Sequence, residues 1–108
     1  MTELRNSSDE FKQLKTEHRA LAILRALQRE PSCKSNDQIM LDWLRKLAIV
    51  STHEELEASV GDLVRLALIK TDTISGVTVF ELTEKGCDVA LWRYVSEGVL
   101  LPSPECPY

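Results

Sequence analysis

Ser35-Asn36-Asp37-Gln38-Ile39-Met40-Leu41 and Thr52-His53-Glu54-Glu55-Leu56 are the two stretches that decide the fold. Each opens on a hydroxyl residue, with Gln38 or Glu55 three positions on. That is the capping-box pattern, in which side chain and backbone amide satisfy one another at a helix N-terminus. An apolar stripe at helical spacing follows each of them. After the first it is Met40, Leu41, Leu44, Leu47 and Ala48, flanked by Ile39 and Trp43; after the second it is Leu56, Val60, Leu63 and Ala67. The pattern predicts one helix over residues 36–47 and another opening at Thr52. Only Ala48-Ile49-Val50-Ser51 joins them, and two capped helices so connected read as a helix-turn-helix.

Upstream, Ala20, Leu21, Ile23, Leu24 and Leu27 form a buried stripe. They predict a helix over residues 9–29, capped by Ser8 or Asp9 and stopped before Pro31. At 1.5 Å per residue it is about 30 Å long, longer than the core requires, and its first half carries Phe11, Leu14 and His18. Residues 1–8 are polar and expected to be flexible; residues 30–34 read as a loop. Downstream the period changes. A short strand over residues 68–72, a turn at Ile74-Ser75-Gly76 and a β-rich run over residues 77–82 predict a hairpin. Thr83-Glu84 opens a last helix over residues 84–95, with Val89, Ala90, Trp92 and Tyr94 among its apolar residues, and Pro102, Pro104 and Pro107 make the tail extended. This order is that of a winged helix-turn-helix: mainly α with a small β-hairpin. The expected organisation is a flexible N-terminus over residues 1–8, one winged-helix domain with an extended first helix over 9–97, and a Pro-rich tail over 98–108.

The composition narrows the function. The chain has 108 residues, 44% of them apolar, and a formal charge of −4. A core of ordinary size is available without disulfides or metal. A strongly basic protein that coats nucleic acid is excluded, although a local basic patch is not. No apolar run is long enough to span a membrane, and the N-terminus is too polar for a signal peptide; a cytoplasmic protein is expected. Cys33, Cys87 and Cys106 are odd in number, with no C-x-x-C, which suits reduced thiols. Isolated glycines exclude a phosphate loop, and neither His18 nor His53 has a companion at ligand spacing. Cys87 lies near a helix N-terminus, where a thiol is activated only with further help. We expect no enzyme, no cofactor, no metal site and no small-molecule ligand.

Leu82-Thr83-Glu84-Lys85-Gly86, between hairpin and last helix, resembles the wing-to-helix junction of many bacterial winged-helix regulators. A wider set is similar to a small winged-helix family of Mu-like prophages, often labelled ArsR-like transcriptional regulators. It comprises His18-Arg19 with Leu21, Ile23, Leu24 and Leu27; Ser35-Asn36; Leu63 through Ile69; Val77 and Val79; Asp88-Val89-Ala90; Val95-Ser96-Glu97-Gly98-Val99; and Pro102-Ser103-Pro104. It spans about residues 18–104. The resemblance implies a winged-helix fold, a phage or prophage setting and a role in transcription regulation. This chain departs from the family in three places. Helix 3 opens His53-Glu54-Glu55-Leu56-Glu57 where the family tends to have arginines, Leu100-Leu101 stands where a basic pair is usual, and Ala48 occupies the turn position where glycine is expected.

Charge is divided unevenly. Residues 1–50 carry a net +2 and residues 51–108 a net −6. The acidic part holds helix 3 and the hairpin, the elements such a fold normally presents to DNA. The outward face of helix 3 carries Glu54, Ala58, Gly61 and Arg65, flanked by Glu55, Glu57 and Asp62. Two functions stay open at this point. One is a DNA-binding, regulator-like protein using Arg65 with Arg45 and Lys46, since phosphate neutralisation carries such binding. The other is a protein–protein module in phage assembly or as an adaptor, using Glu54, Glu57, Ala58 and Gly61. A homodimer is also expected, pairing Phe11 and Leu14 of the long first helix with Trp92, Leu100 and Leu101 across a two-fold axis. The competing arrangement folds the tail back onto its own first helix.

Overall fold

The apolar stripes of the sequence close on one another around Phe80. Ile23, Leu24 and Leu27 pack with Met40, Leu44, Leu56, Leu63, Leu68, Ile69 and Val89, and each, like Leu21, is almost wholly removed from solvent. The computed structural model describes residues 2–99 and 108, with side chains described from Asp9 onward. Its elements are α1 (Thr2–Arg29), β1 (Lys34–Asn36), α2 (Asp37–Lys46), α3 (His53–Arg65), β2 (Ile69–Ile74), β3 (Val77–Leu82) and α4 (Glu84–Ala90). Among the described residues, four helices thus accompany a small antiparallel sheet of strand order β1-β3-β2.

The third strand spans the end of the expected loop, Lys34, and the expected start of the second helix, Ser35 and Asn36. Lys34, Ser35 and Asn36 pair with Glu81, Phe80 and Val79, a pairing across a distance in sequence that so short a run does not announce. It also moves the cap of α2. Ser35 is held in the strand, so Asn36 becomes the cap and its side chain accepts from the Ile39 N–H at 2.9 Å. The second capping box forms as expected. Thr52 accepts from the Glu55 N–H at 3.0 Å while Glu55 accepts from the Thr52 N–H at 2.9 Å. The first helix starts at Thr2 rather than at Ser8 or Asp9.

Three helices end on the same device. In α2 the Ile49 N–H reaches Leu44 O at 2.8 Å and the Ala48 N–H reaches Arg45 O; in α3 the Leu68 N–H reaches Leu63 O at 2.9 Å and the Ala67 N–H reaches Val64 O; in α4 the Arg93 N–H reaches Asp88 O at 2.7 Å and the Trp92 N–H reaches Val89 O. This double bond pattern puts the residue after the cap in the left-handed region. Here those residues are Ala48, Ala67 and Trp92, with φ of 61°, 62° and 70°. Three expectations change as a result, the first being that Ala48 is exposed rather than part of the α2 stripe. Ala67 is exposed rather than part of the α3 stripe. The last helix stops at Ala90, five residues early, leaving Trp92, Tyr94 and Val95 exposed. The hairpin is longer than expected and turns through Ser75 and Gly76, both at positive φ, the two-residue turn whose twist matches paired strands.

Candidate functional site

Helix α3 is held from one flank by a buried cation. Arg19 of α1 is 3% exposed. Its guanidinium donates to Ser51 Oγ at 2.7 Å, to Ser59 Oγ at 3.4 Å and to Glu55 Oε2 at 3.5 Å. It therefore ties α1 to both the α2–α3 connection and α3 itself. The bond from the Thr52 backbone N–H lowers the pKa of the Glu55 carboxyl, outweighing the opposing effect of burial, and the Arg19 charge adds in the lowering direction.

The junction after α3 is clasped by the motif that carried the family resemblance. Thr83 Oγ1 donates to Ala67 O at 2.7 Å and lies 2.9 Å from Leu68 O, while accepting from the Gly86 N–H at 3.0 Å. Lys85 Nζ reaches Leu66 O at 3.3 Å and sits over the Tyr94 ring. A Cβ on Gly86 would overlap the Leu68 carbonyl oxygen and press on Leu82, so only glycine lets α4 approach this closely. Within this chain, Leu82-Thr83-Glu84-Lys85-Gly86 is a structural fastening.

The opposite flank of α3 is open. A cleft of about 320 Å³ lies between α3 and the hairpin, walled by Leu56, Val60, Val64 and Phe80, with Thr71 and Thr78 on the strand side and Gly61 on the helix side. One end is acidic. His53 Nε2 lies 3.3 Å from Asp37 Oδ2, and its Nδ1 lies 3.3 Å from Glu57 Oε1. A histidine that donates to both carboxylates must carry both ring protons. Asp37 is 5% exposed, and its Oδ1 is buried without a hydrogen-bond partner. Among the described residues, neither lysine nor arginine lines the cleft. Gly61 is not there for close packing within the chain, since nothing lies within 4 Å of a Cβ built on it; instead it leaves the mouth of the cleft open.

The residues expected to act are distributed as follows. Glu57 and Gly61 line the cleft, while Glu54 and Ala58 are exposed on the outer face of α3. Arg45 is paired with Asp42 at 3.5 Å and Arg65 with Asp62 at 3.7 Å; both pairs are exposed. Lys46 is exposed beside Arg45. These cations are not brought together: Arg65 ends α3 about 18 Å along the helix from its start, whereas Arg45 and Lys46 end α2. The other basic candidates are also engaged, Lys34 with Glu81 at 3.8 Å and Arg29 with Tyr108 O. Phe11, Leu14 and Trp92 are exposed, as a partner surface requires; Leu100, Leu101 and Cys106 lie outside the described residues. Tyr108 rests on α1 of its own chain, its hydroxyl 2.7 Å from His18 Nδ1 and its ring edge-on to the imidazole.

Asp37 was missed by sequence reasoning, which saw only a residue inside a capping box. An aspartate in the first turn of a helix is ordinary, and no local signal marks one that is buried with an unpaired oxygen.

No protein-family model matches the chain, and neither a curated protein nor a solved structure matches it. Among the described residues, no group of three or more His, Cys, Asp or Glu is arranged to hold a metal ion, and no helix is long and apolar enough to cross a membrane.

Proposed function

We propose that the chain is a winged-helix protein-interaction module of phage type, acting by binding rather than catalysis. The element order α1-β1-α2-α3-β2-β3-α4 and the sheet order β1-β3-β2 support the winged helix-turn-helix reading, with β2 and β3 as the wing. The likeness to the prophage family supports the setting. The observation that carries the protein partner is the charge of the face formed by α3 and the wing. That face presents Glu54 and Glu57, flanked by Asp62, and opens into a cleft ending in Asp37. DNA is held chiefly by neutralising phosphates, and here Arg45 and Arg65 each sit beside an aspartate.

The helix-turn-helix itself favours a second reading, DNA binding through Arg65 with Arg45 and Lys46. Titration of the full chain with a mixed-sequence duplex at low and at moderate salt separates the two. We expect no binding even at low salt. Salt-dependent binding that Arg65→Ala weakens would replace the protein-partner reading with the DNA reading.

The proposal includes a homodimer. The first helix is 28 residues long, about 42 Å, and every side chain from Asp9 to Leu14 is exposed. Helical arms of this kind gain stability mainly by packing. Phe11 and Leu14, with Leu47, Ile49, Val50 and Tyr108, border an apolar groove of about 520 Å³, and a second copy of the arm is the proposed occupant. Light scattering at micromolar concentration tests it, and a monomer mass overturns it. The seat of Tyr108 on α1 favours the competing fold-back arrangement at the end of the tail.

A further inference from the structure

The geometry points to an arginine side chain, presented by a protein partner, as the occupant of the cleft between α3 and the wing. This inference rests on the protein-binding reading above and gives its chemistry.

Three observations converge on that occupant. The first is the unpaired oxygen. Asp37 Oδ1 is buried and, among the described residues, has no hydrogen-bond donor. Leaving such a group unmatched is costly, and more so when it is charged. Asp37 lines the cleft, so a donor entering there meets that oxygen once the carboxyl turns toward it, and the cost is then removed. The second is sign. Asp37, His53 and Glu57 together carry −1 when the imidazole holds both protons and −2 when it holds one, and no described lysine or arginine lines the cleft. Either way the net charge, with His53 the one lining group among the described residues that can turn positive, attracts a cation and repels phosphate. The third is shape. The acidic end gives way to a wall of Leu56, Val60, Val64 and Phe80, with the Thr71 and Thr78 side chains opposite. A bare metal ion or ammonium ion makes no use of that wall; a cation on an aliphatic stem does. The volume of about 320 Å³ is at the small end of ligand pockets, which run from about 300 to 1,000 Å³, and suits one side chain.

Arginine fits better than lysine. Asp37 and Glu57 stand at opposite nitrogens of one imidazole ring, each 3.3 Å away, so the acceptors are spread rather than gathered at a point. A guanidinium offers five donors in a planar fork and can bond two separated carboxylates, whereas an ammonium is a compact point charge. Gly61 leaves the mouth open on the helix side, and exposed Ala58 adds no bulk beside it. A partner backbone can therefore lie against α3 while its side chain enters.

The test uses the full chain, isotope-labelled, with backbone amide shifts followed by NMR. The first probe is arginine capped at both ends, compared with capped citrulline, which has the same shape without the charge. We expect capped arginine to move the amides of Asp37, His53, Glu57 and Gly61, and citrulline to leave them unmoved. Asp37→Asn should weaken binding by about tenfold or more, the size of one charge-assisted hydrogen bond. Glu57→Gln, at an exposed position, should weaken it by about threefold, as for a partly solvated pair, and keeps the test sound if the buried substitution unfolds the protein. The second probe is a capped pentapeptide with arginine at its centre and leucine on either side. It should bind about tenfold more tightly than capped arginine alone through its added apolar contacts. Absence of localised shifts with capped arginine, or equal shifts with citrulline, overturns the arginine site. Equal affinity for peptide and single residue reassigns the cleft to a small free guanidinium compound and overturns the partner. Failure here leaves the duplex titration untouched, and duplex binding with a positive arginine response removes only the protein-partner reading.

Discussion

Two buried charges flank α3, and they are treated in opposite ways. Arg19 reaches Glu55 and Ser59 on one flank; Asp37 reaches His53 on the other, next to Glu57 and Gly61. At 100° per residue these two sets lie on opposite sides of the helix. Arg19 has three partners from the α2–α3 connection and α3. Asp37 has one partner, an exposed histidine, and an oxygen with none. Burial is nearly the same, 3% against 5% exposed. What differs is satisfaction. A buried charge with a partner at each of its nitrogens fastens elements together; one with an oxygen left unpartnered costs stability, and such a cost marks a place where a ligand supplies what the chain does not. The closed side continues into the Thr83–Gly86 clasp, and the open side continues into the cleft.

The largest effect should come from the closed side. Gly86→Ala forces a methyl group against the Leu68 carbonyl, where backbone has to move; we expect a loss of at least about 3 kcal/mol, read as the absence of a cooperative urea transition by circular dichroism. A variant that unfolds within about 1 kcal/mol of the parent would mean that the clasp is not the fastening described. Next in size is Arg19→Met, which leaves Ser51 and Ser59 without their donor and should cost about 2–3 kcal/mol. Asp37→Asn, on the open side, should change stability by less than about 1 kcal/mol, because it removes a charge that the fold does not fully compensate. If the denaturant midpoints put Asp37→Asn below Arg19→Met, the contrast between the two flanks collapses.

A smaller effect is pH-dependent. Glu55 has its pKa lowered by folding, so its contribution is fully present above the unfolded value of about 4.5 and is lost as pH falls through the lower folded value. The stability difference between the parent and Glu55→Gln should therefore narrow between pH 6 and pH 3; a difference that holds constant would detach the carboxylate from its bonds to the Thr52 N–H and Arg19. The smallest effects should be gains. Ala48→Gly and Ala67→Gly relieve left-handed backbone that disfavours a Cβ, against the greater freedom glycine has when unfolded, for a net gain of about 0.5 kcal/mol each. A loss at both would show that the helix ends are set by something other than the left-handed cap.

Much of the frame was legible from the residues alone, and the reason is locality. Thr52 and Glu55 are three residues apart, and their reciprocal bonds need nothing from elsewhere. The core stripes of α1, α2 and α3 follow from spacing on one helix, and Ser75-Gly76 with the branched residues of β3 announces a hairpin. Other features depended on partners far along the chain. Lys34–Asn36 became a strand because β3 offered a free edge. The α3 and α4 helices stopped short because Ala67 and Trp92 took a conformation that sequence assigns to glycine, with the next residue returning to the core at Leu68. For function the division is sharper. The acidity of α3 and the thinness of its cations were readable as counts. That Arg19 is buried and satisfied, while Asp37 is buried and left with an empty acceptor, was decided only when three helices and a hairpin met, because burial and hydrogen-bond satisfaction are properties of the packed whole and not of any segment.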